Sequence, residues 1–187
     1  MGFFACWPGG LVNLRFSAAV FAGSVRVILN MEEDPMGIEE RLAELGVSLP
    51  DAPAPAANYV PYVQVGDTVY VSGQVSMGPE GFITGKLGAD MSVEDGAAAA
   101  RSCAVSLLAQ VKAACGGDIE RLVRVVKLTG FVNSTADFGD QPKVINGASD
   151  FLVEALGDAG KHSRSAVSAA SLPFGVAVEI EGIFQIA

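Results

Sequence analysis

The sequence predicts an α+β protein in which a mixed sheet carries two helices on one face. The main observation is the order of the periodic segments, which is strand, strand, helix, strand, helix, strand, strand. The second observation is that the last strand, 176–186, is apolar on one side, as expected for the side that the helices cover. Half of the 187 residues are apolar, which suffices for one packed core.

The first 35 residues differ from the rest of the chain. They contain Arg15 and Arg26 but no acidic residue before position 32. A targeting peptide is one interpretation, but the two arginines lie too late in the segment for a signal sequence. We favour the other interpretation, in which this segment is flexible or outside the working protein, which would begin at Met31 or Met36. The expected units are 1–35 and 36–187.

A short amphipathic helix opens the second unit. Ile38, Leu42 and Leu45 recur at helical spacing, and Gly46 ends the pattern. The Pro-rich segment 48–58 is too stiff and polar for a helix or strand, so it is expected to be a connection.

A β-hairpin follows at 59–75, where Val and Tyr alternate with polar residues and Gly66-Asp67 supply the turn. The Gly-rich stretch 77–88 is expected to be a loop. It is not a phosphate-binding loop, because neither Ser nor Thr follows Lys86 and the glycine spacing is incomplete.

The clearest helix begins after Ser92, a favourable N-cap. Glu94 and Asp95 in its first turn suit the helix dipole, and Gly116-Gly117 ends it. One face is apolar and is expected to pack on the sheet. That face consists of Ala97, Ala100, Ala104, Leu107, Leu108 and Val111.

The remaining elements are a strand, a helix and two closing strands. The strand spans 121–134 and the helix 142–157, with Val144, Phe151, Leu152 and Leu156 as its apolar positions. The closing strands are expected to flank a turn at 172–175.

The last strand has two unlike faces. Its second face carries too many charged residues for a core and too many apolar ones for a surface in water. It is therefore expected to form a subunit interface of a homo-oligomer, with clefts where the subunits meet. The first face comprises Val176, Val178, Ile180, Phe184 and Ile186, and the second Ala177, Glu179, Glu181, Ile183 and Gln185.

Composition restricts the partners and the compartment. A formal charge of −9 disfavours nucleic acid, and no apolar run approaches the roughly 18 residues of a membrane helix. Cys6, Cys103 and Cys115 are odd in number and fit no metal-ligand spacing. We interpret Cys103 and Cys115 as buried structural thiols, which fits a reducing cytoplasm.

Arg164 is the most informative single residue. It lies among residues too small to cover it, in the stretch "HSRSAVSAAS", which is typical of an anion pocket rather than a core. The alternative is that Arg164 forms a salt bridge with Glu179 or Glu181 in an oligomer interface.

Three motifs carry a family resemblance. "YVSGQV", "KLTGFV" and "HSRSAVSAASLPFGVAVEIE", in this order, resemble the RidA/YjgF family of reactive-intermediate deaminases, also labelled L-PSP endoribonuclease-like. The resemblance covers residues from about 59 to the C-terminus and suggests a divergent branch. It implies a chorismate-mutase-like homotrimer with active sites between subunits. It also implies cofactor-free and metal-free hydrolysis of enamines and imines, such as 2-aminoacrylate, to 2-keto acids and ammonia.

The resemblance also assigns the site residues. Arg164 matches the arginine that binds the substrate carboxylate, and Glu179 matches the glutamate near the attacking water. Asn146, in "VINGASDF", matches a pocket asparagine, and Ser72, in "VSGQ", matches a serine of the cleft. The plainer interpretations are that Asn146 caps a helix and that Ser72 hydrogen-bonds the backbone.

The catalytic tyrosine is assigned by spacing. Tyr59 lies 13 residues before Ser72, which is the family's spacing, so it is preferred to Tyr62. Gly73, and Ala166 where many members carry Cys, complete the predicted substrate-binding set. "KHS" replaces the family's proline before the arginine, so the resemblance does not indicate which side chain the substrate carries. His162 is placed at the pocket rim, and Glu181 is either structural or a second carboxylate.

Three functions remain in competition. The first is an enamine or imine deaminase acting on a small 2-imino acid. The second is a regulatory module that binds a small 2-keto or amino acid without catalysis. The third, an RNA-cleaving translation inhibitor, is disfavoured by the acidic charge.

Overall fold

The structure is a computed structural model. It describes residues 36–52 and 59–187 in full, and residues 4–7, 10–21 and 24–33 as backbone strands. The chain divides into two compact units, Met1–Gly37 and Ile38–Ala187. In the described residues, no helix is both long and apolar enough to cross a membrane.

The first unit is a three-stranded antiparallel sheet. Its strands are β1 (Phe4–Trp7), β2 (Gly10–Phe21) and β3 (Ser24–Glu33), with β2 in the middle. Its side chains, including that of Cys6, lie outside the described part of the structure. The expectation that this segment is flexible or outside the working protein stays a prediction.

The second unit contains the long helices and strands that the sequence predicts, together with a short hairpin and three short 3-10 helices that it did not. The Gly-rich stretch 77–88 contains a minimal two-stranded hairpin, which its short strands and glycines did not reveal. The elements are α1 (Ile38–Glu44), β4 (Tyr62–Val65), β5 (Thr68–Val75), β6 (Met77–Gly78), β7 (Gly81–Phe82), α2 (Val93–Ala114), β8 (Leu122–Asn133), α3 (Gln141–Leu156), β9 (Ser163–Ala169) and β10 (Val178–Ile186).

The five-stranded sheet is mixed and has the order β4-β5-β10-β8-β9. The strands β8 and β9 are parallel and are joined through α3, because parallel neighbours require a crossover. The other neighbours are antiparallel. The closing strands β9 and β10 therefore do not pair across their turn, since β8 lies between them.

Both long helices lie on one face of the sheet, as predicted. The inward residues of β10, Val178, Ile180, Phe184 and Ile186, are buried there. The predicted core positions of α3 are buried as well, as are the free thiols of Cys103 and Cys115.

Two predicted side-chain positions are wrong. Ala177, expected on the outward face of the last strand, is fully buried. It precedes β10, and its backbone joins Ile83 on one side and Asn133 on the other. Ala97, expected on the core face of α2, is only half-buried, and its backbone lies against Gly147 where α3 crosses α2.

That helix crossing predicts a stability effect. A Cβ at Gly147 of α3 would overlap the backbone oxygen of Ala97 and lie 2.6 Å from its carbonyl carbon. Because backbone cannot move aside locally, Gly147→Ala is expected to destabilise the protein by about 1–3 kcal/mol, despite the better helix propensity of alanine. Urea unfolding measures this change. The exposed Gly139, with open space at its Cβ, supplies the control Gly139→Ala, and equal midpoints for the two variants would contradict the prediction.

Candidate active site

Arg164 on β9 is held by α3. Its Nη1 donates to Asn146 Oδ1 and to Ser149 Oγ, each at 2.9 Å, and its Nη2 donates to the carbonyl oxygen of Pro142 at 3.3 Å. Positions 142, 146 and 149 follow helical spacing, so one face of α3 presents all three acceptors. The guanidinium is therefore fixed against the helix.

The partners of Arg164 leave its positive charge uncompensated. All three acceptors are neutral, and the salt bridges of the described residues form elsewhere, at Lys112–Glu39, Lys143–Asp140 and Lys161–Asp158. Within the chain Arg164 therefore pairs with neither Glu179 nor Glu181, and the alternative of such a pair in an oligomer interface stays a prediction. Among the described residues, Nε has no hydrogen-bond partner and Nη2 retains one hydrogen, which leaves donors for an anion.

Arg164 lies on the helix-covered face of the sheet. It pairs in register with Leu128 of β8, which is fully buried beneath the helices, and directly paired residues share a face. Ala166 pairs with Gly130, where a Cβ would strike Ile145 of α3. The predicted binding residue Ala166 therefore faces α3 on the same side as Arg164.

Asn146 lies within α3 rather than at its end. The helix begins at Gln141 after Asp140, so the interpretation of Asn146 as a cap is wrong. Its side chain is occupied by Arg164 instead.

Ser149 is the member of this site that the sequence did not assign, and it contacts His162, the residue predicted to lie at the pocket rim. Ser149 Oγ lies 3.1 Å from His162 Nε2, and His162 Nδ1 lies 2.6 Å from the carbonyl oxygen of Gly160. Burial, and then the charge of Arg164, lower the pKa of His162, against an opposing contribution from Gly160. The available signal for Ser149 was its position three residues after Asn146, on the same helix face.

Glu179 lies on the opposite face of the sheet. It pairs with Phe131, three positions from the buried Leu128 on β8, and successive strand residues alternate between faces. Its carboxyl group is half-buried directly over Gly73, where no Cβ could fit without moving it. Burial, and then the neighbouring charge of Glu181, raise the pKa of Glu179.

The remaining predicted residues lie near the strand that carries Gly73. Ser72 Oγ donates to the carbonyl oxygen of Val60 at 3.0 Å, which bears out its plainer, backbone-binding interpretation. Tyr59 is 59% exposed, whereas Tyr62 is half-buried against the core. The structure thus leaves Tyr59 free to contact another molecule and gives Tyr62 a packing role.

The candidate site residues form two groups within the chain. The Arg164 group consists of Arg164, Asn146, Ser149 and His162, with Ala166 nearby. The Glu179 group consists of Glu179, Glu181 and Gly73, with Ser72 beside it. Because the groups lie on opposite faces of the sheet, a single chain does not bring Arg164 and Glu179 together.

The mixed sheet with two helices on one face defines a chorismate-mutase-like fold. The family model described as "YjgF/chorismate_mutase-like, putative endoribonuclease" matches residues 39–180. The chain belongs to this family, the RidA/YjgF family.

Three relatives illustrate the similarity. The chain is 46% identical over 151 residues to Protein TCP17 of Trypanosoma cruzi, covering 80% of this chain and 94% of that protein. It is 30% identical to a 2-iminobutanoate/2-iminopropanoate deaminase of Dermatophagoides farinae, covering 75% of this chain and 94% of that protein. A crystal structure of a protein of unknown function from Agrobacterium tumefaciens is 48% identical with a TM-score of 0.74, covering 80% of this chain and 94% of that one.

Proposed function

We propose that the protein hydrolyses small 2-imino acids, and the enamines that tautomerise to them, to 2-keto acids and ammonia. The observation that carries this proposal is Arg164, a cation fixed by three neutral acceptors with donors left over. A carboxylate next to a C=N carbon is the anion that a planar guanidinium orients best, because two parallel hydrogen bonds fix its plane. The deaminase relative supports the same reaction class.

The complete site is proposed to form between two protomers of a homotrimer. Arg164 of one protomer would meet Glu179 of the next, since the sheet separates the two residues within a protomer. The outer face of the sheet has the apolar character of an interface, with the side chains of Tyr70 and Val167 exposed by 48% and 45%. Tyr59, also exposed, is proposed to contact the substrate from this face.

The proposed reaction needs only orientation and proton transfer. With the carboxylate held by Arg164, the imine carbon is presented to a water molecule. Glu179 takes a proton from this water as its oxygen bonds to the imine carbon and returns that proton to the nitrogen, which gives a carbinolamine. Glu179 then takes the hydroxyl proton and passes it to the amine nitrogen as the C–N bond breaks. Both protons of the water thus leave with ammonia, and the carbonyl of the 2-keto acid remains. The buried free thiols of Cys103 and Cys115 fit a cytoplasmic location for this reaction.

A coupled assay tests the proposal. An amino-acid oxidase converts alanine to 2-iminopropanoate, and semicarbazide trapping of the imine is followed with and without the protein. The expected result is a faster loss of trappable imine with the wild type and a strongly reduced but measurable acceleration with Glu179→Gln, in which Arg164 still orients the substrate. An uncatalysed rate for the wild type as an intact oligomer would overturn the proposal.

A binding or regulatory module is the second candidate. The observation that favours it is the separation of the two groups, because the carboxylate-binding face of the sheet in one chain does not carry the acid–base group, which lies on the opposite face. Such a module would bind pyruvate through Arg164 and would not accelerate imine loss. Its Glu179→Gln variant would bind pyruvate with the same affinity as the wild type. RNA cleavage is less favoured, because the charge of −9 offers little attraction for phosphates.

The proposed base predicts a pH effect. The charge of Glu181 contributes, after burial, to the raised pKa of Glu179, so Glu181→Gln is expected to lower that pKa. The base acts when deprotonated, so the acidic limb of the pH profile of kcat/KM should move to lower pH. The exposed Glu154 on α3 supplies the control Glu154→Gln, which makes the same charge change away from the site. Identical acidic limbs in both variants and the wild type would exclude this role of Glu181.

A further inference from the structure

We propose that His162 and Ser149 are positioning residues that fix the carboxylate-binding edge of Arg164. This inference rests on the proposed function and adds two residues to its site. The three side chains form a chain of hydrogen bonds that ends at the Gly160 carbonyl oxygen.

The direction of each hydrogen bond follows from the Gly160 end. A carbonyl oxygen only accepts, so His162 Nδ1 must carry the proton that it donates over 2.6 Å. In the neutral imidazole Nε2 is then an acceptor, and it receives the hydroxyl proton of Ser149. The lone pairs of Ser149 Oγ are left for Arg164 Nη1.

The charges around His162 favour this neutral form. Arg164 is the cation that faces it from β9, and a second positive charge at the imidazole would be repelled. Burial of the ring opposes protonation more strongly than this repulsion does, and the two together lower the pKa of His162 against the opposing effect of its hydrogen bond to Gly160. On the adjoining turn, Lys161 is paired with Asp158 at 2.6 Å. From α3, the polar contact to the ring is the hydroxyl of Ser149.

The consequence for Arg164 is a single orientation of its guanidinium. Both hydrogens of Nη1 are taken, one by Asn146 and one by Ser149, and Nη2 gives one hydrogen to Pro142. The donors that remain are Nε and the second hydrogen of Nη2, which match the two oxygens of a carboxylate. Without an acceptor at position 149 the guanidinium can turn, and this edge is no longer fixed.

Kinetics with paired variants test the proposal. Ser149→Ala removes the acceptor and Ser149→Thr keeps it, while His162→Leu removes the imidazole acceptor and His162→Gln keeps an amide oxygen. We expect Ser149→Ala and His162→Leu to raise the KM for 2-iminopropanoate about tenfold with kcat changed less than about twofold, because carboxylate binding contributes to ground and transition states alike. Ser149→Thr and His162→Gln should stay within about threefold of the wild-type KM. The exposed Lys161 supplies the control Lys161→Gln, expected to match the wild type.

A spectroscopic measurement tests the hydrogen-bond chain without requiring activity. His162 is the only histidine of the sequence, so long-range ¹H–¹⁵N spectra of protein without a histidine tag report its tautomer directly. A protonated Nδ1 with a bare Nε2 is expected at pH 7. The opposite tautomer, or an imidazolium, would overturn the proposed direction.

The outcomes separate this inference from the proposed function. A wild type that accelerates imine loss, with unchanged KM in Ser149→Ala and His162→Leu, would retain the function and overturn the positioning role. If the wild type accelerates nothing, the function fails and calorimetric titration with pyruvate decides the positioning role. Weaker pyruvate binding by Ser149→Ala than by Ser149→Thr then supports it, and equal binding or none overturns it.

Discussion

Arg164→Ala is expected to lower kcat/KM for 2-iminopropanoate by about 100-fold or more, because truncating one partner of a desolvated charge pair costs roughly 2–5 kcal/mol. The guanidinium offers the substrate two donors from a position fixed by Asn146 and Ser149. Arg164→Lys keeps the positive charge but loses the planar guanidinium that can donate two parallel hydrogen bonds, so this variant should retain only part of the activity. Pyruvate titrations should show the same order of affinities, since the product carries the same carboxylate.

The control for this experiment is Arg124→Ala. Arg124 lies on β8, is exposed, and donates only a long hydrogen bond of 3.5 Å to the Lys161 carbonyl oxygen. Its removal makes the same charge change and should leave kcat/KM near the wild-type value. Equal losses in both arginine variants would indicate a general electrostatic effect and contradict a specific role for Arg164.

The sequence predicted the local elements well because each has a local signal. Ser92 caps α2 and accepts from the backbone N–H of Asp95, and the Gly66-Asp67 turn joins β4 to β5. The position of β9 had no such signal. Its parallel pairing with β8 depends on how α3 packs, which is a tertiary property.

The site was predicted in part for the same reason. Small neighbours indicated an anion-binding role for Arg164, which stays a prediction, and alternation placed Glu179 on the outward face of the last strand. Whether Arg164 and Glu179 lie on the same face of the sheet depends on the register in which their strands pair. A shift of β9 by one residue would place Arg164 on the other face. Ser149 escaped notice because a serine within a helix has no distinctive pattern until Arg164 and His162 lie beside it.

Gly73→Ala is expected to lower kcat/KM by about 100-fold while leaving stability nearly unchanged, since a displacement of about 1 Å at a reacting group can cost this much. A Cβ at position 73 would overlap Glu179 Oε1 and lie 2.9 Å from its Cδ. These atoms are the far end of a flexible side chain, so the carboxylate can swing away at little cost to folding. The contrast with Gly147→Ala, where the overlap is with backbone of α2, is the basis of the prediction.

A double-mutant cycle makes the argument specific to Glu179. If the added methyl group acts by moving this carboxylate, Gly73→Ala should cost little further activity in a Glu179→Gln background, because the two changes disable the same step. Gly139→Ala, with open space at its Cβ, should match the wild type in both activity and melting temperature. A large loss of melting temperature in Gly73→Ala, or losses that multiply in the double variant, would mean that Gly73 serves the fold rather than the position of Glu179. Its place in the strand would then explain the glycine without any reference to catalysis.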